Sequence, residues 1–310
     1  MAQSRWRFAG LLFSCLLVSA FVTACAGGEP ASTPTPAATL SPAEIEATAE
    51  AVAEEIAAAY PLAATAWELD YFGPAATSTA LLPDTRASVN YFWDRYMGFD
   101  GCNWFLGVYS ADTEGNLQMM EPLSTRDICE PEEAYEQSIY FAGALLNATN
   151  YAREGEQLVI STTGNQQLLA LSPAKPLPMF GTEWGVKLWW DAKQDQWYPI
   201  IPTSTTTIIF GKDGQASGSG GCNSYTVPYE GDLQIEKVLE ATDTYAELPT
   251  LTFGPVAAQM MACDQPENIM EQEQAFFVTL GSTAYYFKLG GMLMLVNAEG
   301  TPLIVLAVNN

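Results

Sequence analysis

The chain has 310 residues, is 48% hydrophobic, and carries 36 Asp and Glu against 12 Lys and Arg, a net charge of −24, with no histidine. That length allows two ordinary domains, each with its own core. So acidic a chain repels nucleic acid and anionic lipid surfaces, which leaves basic partners or plain solubility as the meaning of the charge. The missing histidine removes His-based triads, His general bases and the commonest metal ligand, so an enzyme here would depend on carboxylates, Tyr, Lys or Cys.

Residues 1–24 read as an export signal. Arg5 and Arg7 form a basic start, and an apolar run from Leu11 to Val22 follows that is too short for a comfortable membrane span. The run closes on Val22-Thr23-Ala24-Cys25, which resembles a bacterial lipobox with Cys25 as the acylated first residue of the mature chain. Ordinary cleavage near Ala24-Cys25, leaving a free thiol, is the alternative. Acylation at Cys25 predicts an exported cell-envelope protein whose first partner is the membrane, reached through its N-terminal lipid. Ala26 follows the cysteine, so no Asp retention signal is present.

Residues 25–63 form the expected linker. Positions 26–42 are Ala, Gly, Ser, Thr and Pro with one acid, the composition of an extended tether. Ser41-Pro42-Ala43-Glu44 then supplies an N-cap, a Pro at the first helical position and a capping-box acid. An Ala- and Glu-rich helix is predicted up to Tyr60, where Pro61 stops it, with a thin apolar stripe at Ile45, Ala49, Val52 and Ile56.

The rest of the chain repeats itself. Ala134-Tyr135-Glu136-Gln137 aligns with Ile269-Met270-Glu271-Gln272, and at the same offset Phe141 matches Phe276, Leu145 matches Leu280, and Tyr151 matches Tyr286. Gly101-Cys102-Asn103, followed by Trp104-Phe105, matches Gly221-Cys222-Asn223, followed by Ser224-Tyr225, at a shorter offset. The second copy therefore has extra residues between its cysteines, within 225–248. Each copy opens on a tryptophan, Trp67 and Trp184. The domains are expected at 64–173 and 181–310, with Ala174-Lys175-Pro176-Leu177-Pro178 between them. Strand signals dominate both. Thr205 to Phe210 is a β-branched run ending at a Lys212-Asp213-Gly214 turn, and Tyr285–Leu289, Gly290-Gly291 and Met292–Val296 read as a hairpin before a last strand at Leu303–Val308. One helix per copy is predicted. Glu130-Pro131-Glu132-Glu133 opens the first, and Asp264-Gln265-Pro266-Glu267 opens the second as cap, proline and capping-box acid, with its end near Leu280. The fold class is thus mainly β (α+β).

Cys15 falls in the signal and Cys25 at the lipid site, which leaves four cysteines, two per copy. Four cysteines allow three pairings, and the repeat selects Cys102–Cys129 and Cys222–Cys263. Buried free thiols are the alternative. No Cys-x-x-Cys spacing occurs, so redox or metal chemistry is not supported, and no metal or cofactor is expected.

The second copy resembles the META/HslJ-like family of bacterial envelope proteins. The resemblance rests on Gly181-Thr182-Glu183-Trp184, the small residues running into Gly221-Cys222-Asn223 with Tyr225, the Met261-Ala262-Cys263 segment, and Glu271-Gln272-Glu273 followed by Phe276 and Phe277. The first copy keeps Gly101-Cys102-Asn103 and Cys129 but has Phe99-Asp100 in place of small residues, and Ser124-Thr125-Arg126-Asp127 in place of the methionine segment. The resemblance implies two tandem antiparallel β-barrel-like domains with one helix each. It also implies a frequently lipid-anchored protein linked with stress or antibiotic tolerance, without an established enzymatic activity.

The glycines of Ser217–Tyr225 permit tight backbone approach, and Asn223 suits a strand-to-turn corner held by Cys222. The competing reading makes Gly101, Asn103, Gly221, Asn223 and Tyr225 part of a ligand or partner loop. No Lys-Ser/Thr follows, so a phosphate P-loop is not supported. Glu136 and Glu271 read as helix-surface charge rather than catalytic acids, and Asp112, Glu114 and Asn116 lack calcium-loop spacing. Trp189, Trp190 and Trp197, among Asp191, Lys193 and Asp195, are the expected exposed aromatic patch. The expected function is a non-catalytic binding or envelope-integrity role, with another envelope protein or a glycan as partner and no nucleic acid. The alternatives are an inhibitor or chaperone-like binder of extracytoplasmic proteins, and an envelope hydrolase.

Overall fold

The structure, a computed structural model, describes residues 51, 54–164, 166–191, 194–233 and 247–308. The export signal, Cys25, the tether, Lys193 and most of the extra residues of the second copy lie outside the described residues. Residues 54–59 are helical, and the Tyr60 N–H closes the last turn on Ile56 O at 2.9 Å. From Ala53 to Asn310 the chain forms one unit.

The first domain contains β1 (Thr65–Phe72), β2 (Thr79–Ala80), β3 (Ser88–Phe92), β4 (Arg95–Phe99), β5 (Trp104–Ala111), β6 (Leu117–Met119), β7 (Leu123–Ser124), helix α1 (Glu132–Leu146), β8 (Asn150–Glu154), β9 (Gln157–Ser161) and β10 (Gln167–Pro173). The second contains β11 (Glu183–Asp191), β12 (Gln196–Pro199), β13 (Thr207–Phe210), β14 (Gln215–Ser219), β15 (Ser224–Gly231), β16 (Leu251–Phe253), β17 (Ala257–Ala258), helix α2 (Ile269–Leu280), β18 (Tyr285–Leu289), β19 (Met292–Val296) and β20 (Pro302–Val308). The strand orders are β6-β5-β4-β3-β1-β10-β9-β8 and β16-β15-β14-β13-β11-β20-β19-β18, so the two topologies are identical. All neighbouring strands are antiparallel.

Each sheet curls until its end strands meet. Asn116 bridges Asn150 in the first domain and Thr250 bridges Tyr285 in the second. The Tyr151 N–H donates to Gly115 O at 2.8 Å, and the Tyr286 N–H to Pro249 O at 3.1 Å. Near-closure of this kind leaves few strand edges unpaired.

One helix packs against each barrel through residues at helical spacing. The buried set is Ala134, Gln137, Ser138, Phe141, Ala144 and Leu145 in α1, and Ile269, Gln272, Glu273, Phe276 and Leu280 in α2. Phe141 stands 6.2 Å from the Phe105 ring, and Phe276 stands 5.6 Å from the Tyr225 ring. The second helix starts later than the sequence suggests. The chain is still turning at Pro266, and α2 begins only after Asn268, whose carbonyl accepts the Gln272 N–H at 3.0 Å from a left-handed backbone.

The opening tryptophans Trp67 and Trp184 are buried in separate barrel cores. A third apolar cluster joins the domains. Phe92, Met97, Phe99, Trp104 and Leu106 of the first barrel pack with Phe287, Leu289, Met292, Met294 and Val296 of the second. Phe287 lies between the Phe92 and Trp93 rings, at 5.9 and 5.6 Å. The hairpin β18–β19 is therefore buried on both faces, with Leu293 and Leu295 in its own core and Met292 and Met294 in the seam.

Candidate functional site

The two Gly-Cys-Asn corners lie between β4 and β5 and between β14 and β15. Cys102 is bonded to Cys129 and Cys222 to Cys263, with Cα separations of 5.4 and 5.9 Å. Gly101 and Gly221 take φ of 102° and 113°, a region that disfavours any side chain.

The asparagines hold the segment that leads to the second cysteine. Asn103 Oδ1 accepts the Asp127 N–H at 2.8 Å, and Asn223 Oδ1 accepts the Met261 N–H at 2.8 Å. Both positions are aligned in the repeat, so the Asn acts as a side-chain substitute for a missing ladder bond. Tyr225 is buried, and its hydroxyl donates to Thr207 O at 2.9 Å. Burial pushes that phenol far above its ordinary pKa, which keeps it a neutral donor.

A carboxylate secures each corner, but from different places. In the second domain Glu273 of α2 reaches down to it. Its Oε2 accepts the Asn223 N–H at 2.5 Å and the Cys222 N–H at 3.2 Å, and its Oε1 accepts from Asn223 Nδ2 at 2.7 Å. In the first domain the matching helix residue is Ser138, which bonds its own helix at Tyr135 O instead. The carboxylate there is Asp100, whose Oδ1 accepts the Cys102 N–H at 2.9 Å and the Asn103 N–H at 2.6 Å. Asp100 stands where the second copy has Gly220. A Cβ on Gly220 would come within 2.6 Å of Glu273 Oε2, so one corner cannot hold both groups unchanged. Burial raises the Asp100 pKa from its ordinary value, and the backbone donors that favour the ionised form oppose the shift only in part.

The glutamine beside this position acts alike in both helices. Gln137 Oε1 accepts the Leu82 N–H at 2.7 Å and Gln272 Oε1 accepts the Ile201 N–H at 2.6 Å. Gln137 Nε2 donates to Thr85 Oγ1 at 2.9 Å and Gln272 Nε2 to Ser204 Oγ at 3.0 Å. Each helix is thus fastened to the loop that precedes β3 in the first domain and β13 in the second.

Next to the second corner runs a groove of about 720 Å3, lined by Asn223, Glu273, Phe277, Met260, Met261, Met270 and Val278. Met260 is fully exposed, and Met261, Met270 and Val278 are exposed as well. Cys263 and the bond from Met261 to Asn223 fix the backbone beneath this apolar surface. The groove was not apparent from the sequence. Its signal is the run Met260-Met261, exposed next to a cysteine that the disulfide pins in place.

The tryptophan hairpin is less exposed than its charged neighbours suggest. Trp190 is buried, and Trp189 and Trp197 are half-buried. Across β11 and β12, Trp189 stacks on Tyr198 at 5.5 Å and Trp190 meets Trp197 at 5.6 Å. Trp197 also packs against the seam, so the rings satisfy one another and the second barrel wall instead of solvent. Glu136 and Glu271 stand exposed on their helices. Asp112 is a turn residue, with Oδ1 accepting the N–H groups of Glu114 and Asn116. Among the described residues no group of His, Cys, Asp and Glu is placed to hold a metal, and no helix is long and apolar enough to cross a membrane.

The family described as the META domain matches residues 60–175 and again 177–310. No curated protein matches the chain. Among solved structures, the NMR structure of a protein from Burkholderia xenovorans is 19% identical, covering 48% of this chain and 99% of that one with a TM-score of 0.31. The crystal structure of a DUF4847 family protein from Bacteroides vulgatus is 16% identical, covering 36% of this chain and 93% of that one with a TM-score of 0.26.

Proposed function

From the premise that the chain belongs to the META domain family in both of its halves, we propose that it is a non-catalytic binding protein of the cell envelope. Acylated Cys25 would hold it at the membrane, and the tether would let the tandem domains reach a partner. The partner is another extracytoplasmic protein that presents an apolar segment to the groove of the second domain. One observation carries this reading: three exposed methionines and Val278 line one groove of about 720 Å3 on a rigid frame. Methionine is unbranched and polarizable, so a rigid backbone with Met side chains fits varied apolar partners. The same chemistry favours the chaperone-like or inhibitory form of the function. A glycan would call for polar groups and flat aromatic rings, and the rings of the tryptophan hairpin are occupied with each other. A hydrolase would need converging acids, and Glu136 and Glu271 both face solvent on separate helices.

The test is capture from envelope extract with residues 26–310 as bait, beside a triple variant M260S/M261S/V278S. The three side chains are exposed, so the variant should keep its fold. A protein retained by the parent chain and released by the variant supports the reading. Equal retention by both overturns it.

A further inference from the structure

The groove of the second domain has a strand edge for one wall. β17 pairs with β15 through Ala258 with Tyr225 and Ala257 with Thr226, and the segment after it keeps the same alternation. The Gln259 N–H donates to Ser224 O at 3.1 Å, and the Met261 N–H donates to Asn223 Oδ1 at 2.8 Å. Met261 O turns the same way and accepts from Asn223 Nδ2 at 3.2 Å. Gln259 and Met261 thus commit their backbone to β15 and its corner. In an extended chain the residues between them point the other way, so Ala258, Met260 and Ala262 aim their backbone groups away from β15. All three line the groove, and α2 forms the opposite wall with Met270, Phe277 and Val278. An edge of this kind is a template for one more strand.

The first domain shows what such an edge accepts. Its equivalent is β7 with Thr125, whose N–H donates to Trp104 O at 2.8 Å as that of Gln259 does to Ser224 O. There the edge is covered from within the chain, because β12 of the second domain lies beside β7. In the second domain β17 is paired on the β15 side alone among the described residues, and Met260 stands fully exposed. Charge narrows the occupant. The residues lining the groove include no Lys or Arg, and the sequence has none between Lys237 and Lys288. Exposed Asp264, Glu267 and Glu271 lie between Ala262 and Glu273, on the turn and helix that join the two walls. A strand entering here meets apolar side chains along the groove and acids at its edge.

We propose that the groove takes an extended segment of another protein by strand addition to the 258–262 edge, and that this segment is apolar at alternate residues and flanked by Lys or Arg. The mode rests on the binding role already proposed for the groove and names the class of partner. The edge pairs with about five residues of the partner, ~17 Å of strand. Main-chain bonds supply affinity that does not depend on the partner's sequence, alternate side chains meet Met260, Met270 and Phe277, and the acids select a basic flank. Folded proteins keep few such edges free, so the groove favours chains that expose an unpaired strand.

The test uses residues 26–310 and a synthetic acetylated peptide, Lys-Lys-Val-Thr-Leu-Thr-Val-Lys-Lys, with isothermal titration and amide exchange by NMR. Saturable binding at one per chain is expected, with slowed exchange at the Ala258, Met260 and Ala262 amides. Two analogues carry N-methyl groups on one or the other alternate set of amides in the Val-Thr-Leu-Thr-Val core. Only one set can face the edge, so one analogue should bind about tenfold or more weakly and the other nearly as well as the parent peptide. A Glu-flanked analogue should bind more weakly, and M260S/M261S/V278S should weaken the parent peptide. Equal affinity of the two methylated analogues, unchanged exchange at the three amides, Glu flanks bound as tightly as Lys flanks, or no peptide binding at all overturns the proposal. If capture from envelope extract still depends on Met260, Met261 and Val278 in those cases, the groove remains a binding site and only the strand mode falls.

Discussion

Glu273 and Asn223 bind each other twice: Oε1 takes the Asn223 side-chain amide at 2.7 Å and Oε2 takes its backbone N–H at 2.5 Å. The bond joins helix to corner across 50 residues of chain. Together with the bond from Gln272 to Ile201 in the loop before β13, it makes α2 the clamp between two parts of its barrel. The first domain fastens α1 through Gln137 but leaves the corner to Asp100, a residue of the corner itself. Helix and corner are therefore coupled by a charged group in one copy only.

That difference can be tested by exchange. E273A should destabilise the chain by about 3 kcal/mol, because two backbone donors and a side-chain amide lose a charged acceptor in a buried place. G220D alone should also destabilise it, since the new Cβ and carboxylate crowd Glu273. The double variant G220D/E273S copies the first domain and should recover part of both losses. Urea midpoints for the four proteins give the coupling energy directly. Additive losses would mean that the two arrangements are not equivalent.

Much of this architecture is legible in the sequence. The repeat places the helices and pairs the cysteines, and the structure brings together Cys102 with Cys129 and Cys222 with Cys263. Reading the helix acids by alignment leads to Glu136 and Glu271, which match because both face solvent. The acid that matters sits where the copies disagree, Glu273 against Ser138, and the compensating change, Gly220 against Asp100, lies far away in sequence. Only the three-dimensional contact links the two changes. The seam is hidden for another reason. Met292-Leu293-Met294-Leu295-Val296 shows no in–out alternation, which marks a strand buried on both faces but does not say what covers the second one.

The seam itself should be stabilising. Phe287 is buried between two rings of the other domain. F287A should cost about 3–5 kcal/mol, the range for truncating a buried phenylalanine. It should also split a single calorimetric transition into two, because the cluster that links the barrels loses its centre. A lower but still single transition would show that the rest of the seam suffices to couple the domains.

Each disulfide closes a loop within one domain, across 27 residues in the first and 41 in the second. Loop-closure entropy grows only with the logarithm of length, so C102S/C129S and C222S/C263S should each cost about 3–4 kcal/mol, nearly equal despite the longer loop. The second pair should have an additional effect that the first lacks. It anchors the backbone under Met260 and Met261, so its loss should reduce partner capture even under conditions where the chain stays folded. Circular dichroism and capture measured on the same samples separate the two effects.

Lys187 provides a pH signature of the seam. Burial, with Arg86 adding to it, lowers its pKa from 10.5 to about 8, while the nearby Asp127 carboxylate works in the opposite direction. The unfolded chain therefore binds more protons at this residue than the folded chain between pH 8 and 10.5. By linkage, its contribution to stability rises with pH across that window and is flat below it. In K187M that rise should disappear, so the difference in unfolding free energy between parent and variant should change from pH 8 to pH 10 and stay constant from pH 6 to pH 7. Comparing the two proteins at each pH cancels the tyrosines, whose buried hydroxyls titrate higher and lower stability as pH rises further.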